Sequence, residues 1–152
     1  MNKRFDVVNS LSDIITYKNN LIYSEYLSEL AKSLVCLALP GYADICFREI
    51  ECFGLGKPVI MPKKKNVFHN ELIADYHYIS IDADWEIDDS VDIANKTREK
   101  YCEICNNHEH LDFIGNNAKA WYRENVQFPN NMKLIFPDYY NKYRFLLNEA
   151  DH

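Results

Sequence analysis

The chain has 152 residues, of which 47% are hydrophobic and 26% are charged, and its formal net charge at pH 7 is −6. That length fits one domain with a hydrophobic core and is too short for two ordinary domains, and the composition is typical of a soluble globular protein. The negative charge argues against general affinity for nucleic acid or an anionic membrane surface, and no apolar run is long enough for a transmembrane segment. An anionic ligand would therefore need a local site.

The N-terminal 20 residues have mixed polarity and weak periodicity, so residues 1–20 are predicted to form an irregular lead-in. They lack the uninterrupted apolar stretch of a signal peptide. The five cysteines are an odd number, and three of them fall in apolar or helical contexts: Cys36, Cys46, Cys52, Cys102 and Cys105. We expect reduced thiols and a cytoplasmic location.

Residues 21–82 are predicted to form a β/α core. Ser24–Lys32 has an N-cap serine and helical spacing of its apolar residues, which predicts a short helix. The apolar run Ser33–Gly41, closed by Pro-Gly, predicts a strand buried on both faces, as in a parallel sheet.

Helical spacing returns over Asp44–Phe53, and the "KPVIMP" stretch at 57–62 predicts a second buried strand. Strand, helix and strand at this spacing form a βαβ unit, for which we expect a right-handed crossover. A polar connection over 63–75 is predicted to hold a short helical piece. The "YHYISIDAD" stretch at 76–84 is interpreted as a third strand, at the edge of the sheet.

Residues 83–152 are predicted to form a mainly helical tail, with helices over about 89–106, 108–125 and 137–149, and a proline-punctuated connection between the last two. The predicted fold class is therefore α/β, a Rossmann-like three-layer half-domain with a short parallel sheet and C-terminal helices. We interpret the whole chain, 1–152, as one domain.

The helix predicted over residues 44–55 has two faces. Cys46, Ile50 and Phe53 are expected to face the sheet, and Asp44, Arg48 and Glu51 lie on the opposite side. Because this helix follows a strand's carboxyl end, its N–H groups suit a phosphate, with Arg48 as a bidentate contact and Glu51 as an acceptor for ribose hydroxyls. The alternative is a solvated face held by ordinary ladder ion pairs.

The stretch "EYLSELAKSLVCLALPGYADICFREIECFGLGKPVIMPK" resembles the C-terminal, donor-binding domain of GT-B-fold glycosyltransferases. In that family, a strand ending in Pro-Gly or Pro-Ser precedes a helix of the form Glu-Ala-x-x-x-Gly-x-Pro-Val-Ile. Here Glu51, Gly56, Pro58, Val59 and Ile60 occupy the matching positions. The similarity covers about residues 24 to 148, and the order of its parts is more telling than any one motif.

The resemblance implies binding of a nucleotide sugar, as the substrate and with no separate cofactor. It places Glu51 at the ribose, Arg48 at the phosphates, and the turn containing Gly41 and Tyr42 near the donor sugar and diphosphate. The retaining families with two glutamates separated by seven intervening residues would have the first at position 43, which is Ala43 here. Asp44 is one position away and is an alternative for that role.

Lysines 63–65 follow the second strand, and Lys63 is the one carried into the candidate site, where it would attract a diphosphate. The alternative is a solvated charge run. His77, on the predicted third strand, is either close to the donor or structural. The "CEICNNHEH" stretch suggests zinc, but its ligands are too close together for a usual tetrahedral site, and Cys102 and Cys105 are interpreted as core-facing helix residues.

The function predicted from these features is that of a donor-binding domain for a nucleoside-diphosphate sugar. Acceptor binding and the general base of inverting members come from an N-terminal domain, for which the 152-residue chain has no room. We therefore expect a missing N-terminal domain or a partner chain to complete a hexosyl-transferring enzyme. The alternative is a non-catalytic nucleotide-sugar-binding or protein-interaction module on the same scaffold.

Overall fold

A computed structural model describes residues 3–18, 20–41, 46–65 and 70–148. Within these ranges, the chain forms helices and strands in the order α1 (Lys3–Ser10), α2 (Tyr23–Lys32), β1 (Cys36–Leu37), α3 (Phe47–Leu55), β2 (Val59–Pro62), β3 (Ile79–Ile81), α4 (Ser90–Ile104), α5 (His108–Asn125), α6 (Asn130–Ile135) and α7 (Pro137–Asn148).

The three strands form one parallel sheet in the order β1-β2-β3. Cys36 is paired with Val59, and Ile60 is paired with Ile79. The predicted α/β class, the parallel sheet and the position of the third strand at an edge are confirmed. Because β2 is the central strand, β1 lies at the opposite edge.

Helices cover both faces of this sheet, so the apolar residues of β1 are divided between two clusters. Leu39 is buried with the side chains of α1 and α4, and Leu37 packs against the same cluster. Cys36 and Ala38 are buried on the other face, with side chains of α3 and α5. This alternation explains why the predicted strand has an apolar run rather than alternating polarity.

The prediction of an irregular lead-in over residues 1–20 is wrong for residues 3–10, which form α1, whereas residues 11–18 form a turn and an irregular segment as predicted. Val7 and Leu11 are fully buried, and α1 packs along α4. The end of the segment is tied to α4 by Arg98, which donates to the carbonyl oxygen of Ser10 at 2.7 Å and pairs with Asp13. An eight-residue helix is marginal alone, so its stability comes from this packing and not from a local sequence signal.

For most of the other predicted elements, the observed and predicted bounds differ mainly at the ends. The helix predicted over 108–125 is confirmed with the same bounds, whereas the regular part of the first strand is shorter than the predicted Ser33–Gly41. α6 occupies part of the predicted connection before residue 137. No helix is present in the described parts of the predicted 63–75 connection, namely 63–65 and 70–75.

The predictions of buried faces are confirmed only in part. On α3, Phe53 is buried and Ile50 packs against the same cluster, as predicted, whereas Cys46 is only partly buried and the carboxylate of Glu49 is buried as well. On α4, Cys102 is exposed and does not face the core. All five cysteines are free thiols. Among the described helices, none is both long and apolar enough to cross a bilayer.

Candidate functional site

The carboxyl rim of the sheet is defined here by Gly41, after β1, and Lys63, after β2. Both residues are exposed. Ligands of parallel α/β sheets bind at this edge, where strand ends lead into the following helices. Tyr42 and Asp44 lie outside the described residues, so their part in the site stays a prediction.

Arg4 reaches the carboxyl rim from the first turn of α1. A Cβ atom on Gly41 would lie 3.3 Å from Nη1 of Arg4 and 3.2 Å from Sγ of Cys46. The missing side chain of Gly41 therefore leaves the room in which the guanidinium lies against the main chain. Sequence analysis missed Arg4, because nothing in the local pattern places the N-terminal segment beside the end of β1.

Arg48 lies on the wall of a cleft of about 720 Å³ that runs beside β1. This β1 cleft is lined by residues of α1, the segment 14–21, α2, β1 and Arg48 of α3, together with Thr97 and Tyr101 of α4. Arg4 lines the same cleft. Two guanidinium groups, from helices on opposite faces of the sheet, therefore open into one space.

Glu51 is turned towards α2. Its Oε2 accepts a hydrogen bond of 2.9 Å from the hydroxyl of Tyr26. Burial, together with this hydrogen bond, raises the pKa of Tyr26 to about 12. A hydrogen bond to Glu51 also raises the pKa of Tyr23. The carboxylate proposed for a ribose thus already serves two tyrosine hydroxyls at the α2–α3 contact.

A buried ion pair lies between α3 and the end of β2. Nζ of Lys64 is 3.2 Å from Oε1 of Glu49, and only 3% and 1% of the two side chains are exposed. Oε2 of Glu49 also accepts from the backbone N–H of Cys46, the N-cap of α3, at 3.0 Å. The backbone N–H of Lys64 donates to Oη of Tyr78 at 3.2 Å. These contacts join the start of α3 to β2 and β3.

Sequence analysis missed Glu49, although a signal was present. Glu49 is three residues after Cys46 and four before Phe53, so it shares the face that was expected to contact the sheet. A carboxylate on a buried face needs a partner charge. That requirement predicts a nearby cation, but it does not say which lysine provides it.

The lysine run at 63–65 was interpreted as one unit, and its members have different environments. Lys63 is exposed on the carboxyl rim, whereas Lys64 is paired with Glu49. Lys65 contacts Asp84 at 3.0 Å and Glu86 at 3.3 Å. The interpretation as a solvated charge run therefore holds for only part of this segment. Of the three lysines, Lys63 is the one that stays a candidate for contact with a ligand.

His77 was interpreted either as a residue close to the donor or as a structural residue, and its contacts are those of a structural residue. It is buried, and its Nδ1 accepts a 2.9 Å hydrogen bond from the backbone N–H of Ile73. Burial lowers the pKa of His77, and the charge of Glu124 acts in the opposite direction. The neutral ring therefore closes the 73–77 turn.

We expect acidification to weaken the protein through His77. Its pKa in the folded state lies below 6.5, so the unfolded state binds more protons as the pH falls below 6.5. The stability contributed by the neutral ring is complete above pH 6.5 and is lost as the pH falls through the lowered folded-state pKa. Protonation also removes the acceptor for Ile73, a loss of about 1 kcal/mol. Urea unfolding at pH 7.5 and 5.5 measures the change, and His77→Asn should show a smaller drop; an equal drop would contradict this role.

No metal-binding group is present in the part of the chain that the structure describes: none of its histidine, cysteine, aspartate and glutamate side chains form a cluster of three. Comparison of the chain with protein-family models, curated proteins and solved structures found no match.

Proposed function

We propose that the protein binds a nucleoside-diphosphate sugar at the carboxyl rim, as the donor-binding part of a glycosyltransferase of the GT-B type. The observation that carries this proposal is that Arg4 and Arg48 both line the β1 cleft, with Arg4 beside Gly41 at the end of β1. Guanidinium groups bind phosphate oxygens in bidentate fashion, and a helix N-terminus adds free N–H groups.

The fold is compatible with this proposal. A parallel sheet with helices on both faces, and α3 between two paired strands, is what a Rossmann-like half-domain would have. In a transfer reaction, the two arginines and Lys63 would neutralise the charge that develops on the diphosphate leaving group. Acceptor binding and any general base would come from a further domain or a partner chain. Without these, the same site binds the nucleotide sugar and does not turn it over.

The proposal predicts that UDP or GDP binds and that binding depends on the rim. Arg4→Ala and Arg48→Ala should each weaken binding by about 10- to 100-fold, because each removes a charge-assisted hydrogen bond worth about 1.5–3 kcal/mol. Glu51→Ala should weaken it by about 10-fold if its carboxylate exchanges Tyr26 for a ribose hydroxyl. Isothermal titration calorimetry measures all three.

The matched control is Lys100→Ala, which removes a cation of α4 that is paired with Glu103 and leaves the rim unchanged. Binding by this variant should equal that of the wild type. The proposal fails if neither nucleotide binds, or if the arginine variants bind as the control does.

A further inference from the structure

The outer edge of β1 has unpaired main-chain groups. On its inner side, the N–H of Cys36 donates to the carbonyl of Pro58 at 2.9 Å, and that of Ala38 donates to the carbonyl of Ile60 at 3.0 Å. Alternate residues of a strand point these groups to opposite sides. Those of Val35 and Leu37 therefore point away from β2, and within the described residues they have no hydrogen-bond partner.

These groups lie in the β1 cleft, which is concave. One wall carries apolar and aromatic side chains from the segment after α1 and from α4, including Ile15 and Tyr101, and the other carries Tyr26 and Leu30 of α2. A strand edge usually is covered or blocked in a soluble protein. Because β1 is recessed between these walls, the equally recessed edge of a second copy does not reach it, whereas a single extended chain does.

The charge of the cleft indicates which kind of polypeptide would bind there. Among the described residues, three cationic side chains line it, Arg4, Lys18 and Arg48, against the one carboxylate of Glu29. Lys18 contacts Glu29 at 2.7 Å, so that pair is neutral. Arg48 and Glu51 both contact the hydroxyl of Tyr26, so Arg4 is the main source of positive charge that the described residues leave in the cleft, in a chain whose net charge is −6. An acidic occupant is favoured.

We propose that the β1 cleft binds an extended polypeptide segment with acidic side chains, which adds to the sheet as a fourth strand beside β1. Its main chain would pair with the N–H and C=O groups of Val35 and Leu37, as in other cases of strand addition. Its apolar side chains would contact the walls, and its acidic side chains would pair with Arg4 or Arg48. The proposed peptide site shares Arg4 and Arg48 with the proposed nucleotide site, but strand addition to the main chain of β1 does not require that a nucleotide binds.

The test uses a fluorescein-labelled heptapeptide of alternating valine and threonine with a glutamate at each end. We expect saturable binding by fluorescence polarisation, and slower hydrogen exchange at the amide of Leu37 by at least about 10-fold when peptide is bound. A peptide with lysine in place of glutamate should bind at least about 10-fold more weakly. A peptide N-methylated at alternate amides should not bind.

On the protein side, Leu37→Pro removes the central edge donor while keeping the bonds to β2, which proline tolerates at an edge. It should lose the peptide and keep the circular dichroism spectrum of the wild type, which reports that it is folded whether or not a nucleotide binds. The proposal is overturned if the glutamate peptide does not bind, if the lysine peptide binds equally, or if N-methylation has no effect. The N-methylated comparison uses the unaltered protein, so it does not depend on the folding of the variant.

Discussion

Replacing Glu49 by glutamine is expected to lower the free energy of unfolding by about 3–5 kcal/mol, because it leaves the ammonium group of Lys64 buried without its counter-charge. Lys64→Met should cost a similar amount for the converse reason. The Glu49→Gln side chain keeps an oxygen that can accept from the N–H of Cys46, so the loss reports the ion pair rather than the helix cap. Urea unfolding monitored by circular dichroism measures both variants.

The double variant, Glu49→Gln with Lys64→Met, tests whether the two charges stabilise the protein as a pair. Since no unpaired charge remains in it, its loss of unfolding free energy should be about 2 kcal/mol smaller than the sum of the losses in the two single variants. Lys63→Met is the matched control, because Lys63 is the exposed neighbour in the same run, and it should change stability by less than about 0.5 kcal/mol. Additive losses in the double variant would show that the two charges do not depend on each other.

Gly115→Ala is expected to destabilise the protein by about 3 kcal/mol, the upper end of the usual range for overpacking. A Cβ atom at this position would lie 2.3 Å from the carbonyl oxygen of Gly56. That atom belongs to the backbone of the α3 C-cap, where Gly56 has φ of 70°, so it cannot turn aside as a side chain would. The higher helix propensity of alanine offsets only about 1 kcal/mol. The melting temperature and the urea midpoint measure the effect.

The control for this contact is Asn116→Ala, at the next position of α5, which is exposed. It should leave stability within about 0.5 kcal/mol of the wild type. If Gly115→Ala proves as stable as Asn116→Ala, α5 does not approach the end of α3 as closely as the structure shows.

The same glycine shows why local reasoning can mislead. Gly115 has a low helix propensity within the predicted helix 108–125, yet α5 runs through it without a break. The lost helix propensity is outweighed by close packing of α5 on the end of α3. By contrast, the left-handed conformation of Gly56 at the end of α3 follows from the local sequence, because glycine is the usual residue at a helix C-cap.

The candidate site was predictable only in part. Position in the chain was enough to place Gly41 and Lys63 after two strands, since the apolar runs before them are strong signals. It was not enough to place Arg4 beside Gly41, because that contact depends on how α1 docks. The role of Glu51 as a ligand contact stays a prediction, and its hydrogen bond from Tyr26 of α2 is a contact that no helix periodicity connects to it.

The sequence by itself determined the α/β class, the parallel strands and the bounds of α5, since these follow from the spacing of apolar residues along short windows. Only the tertiary structure decided that residues 3–10 are helical, that Glu49 and Lys64 form a buried pair, and that β1 keeps an open edge in a cationic cleft. The physical reason is the same in each case: these features depend on contacts between segments far apart in the chain. Their stability comes from burial and charge pairing, which become defined only when the segments pack together.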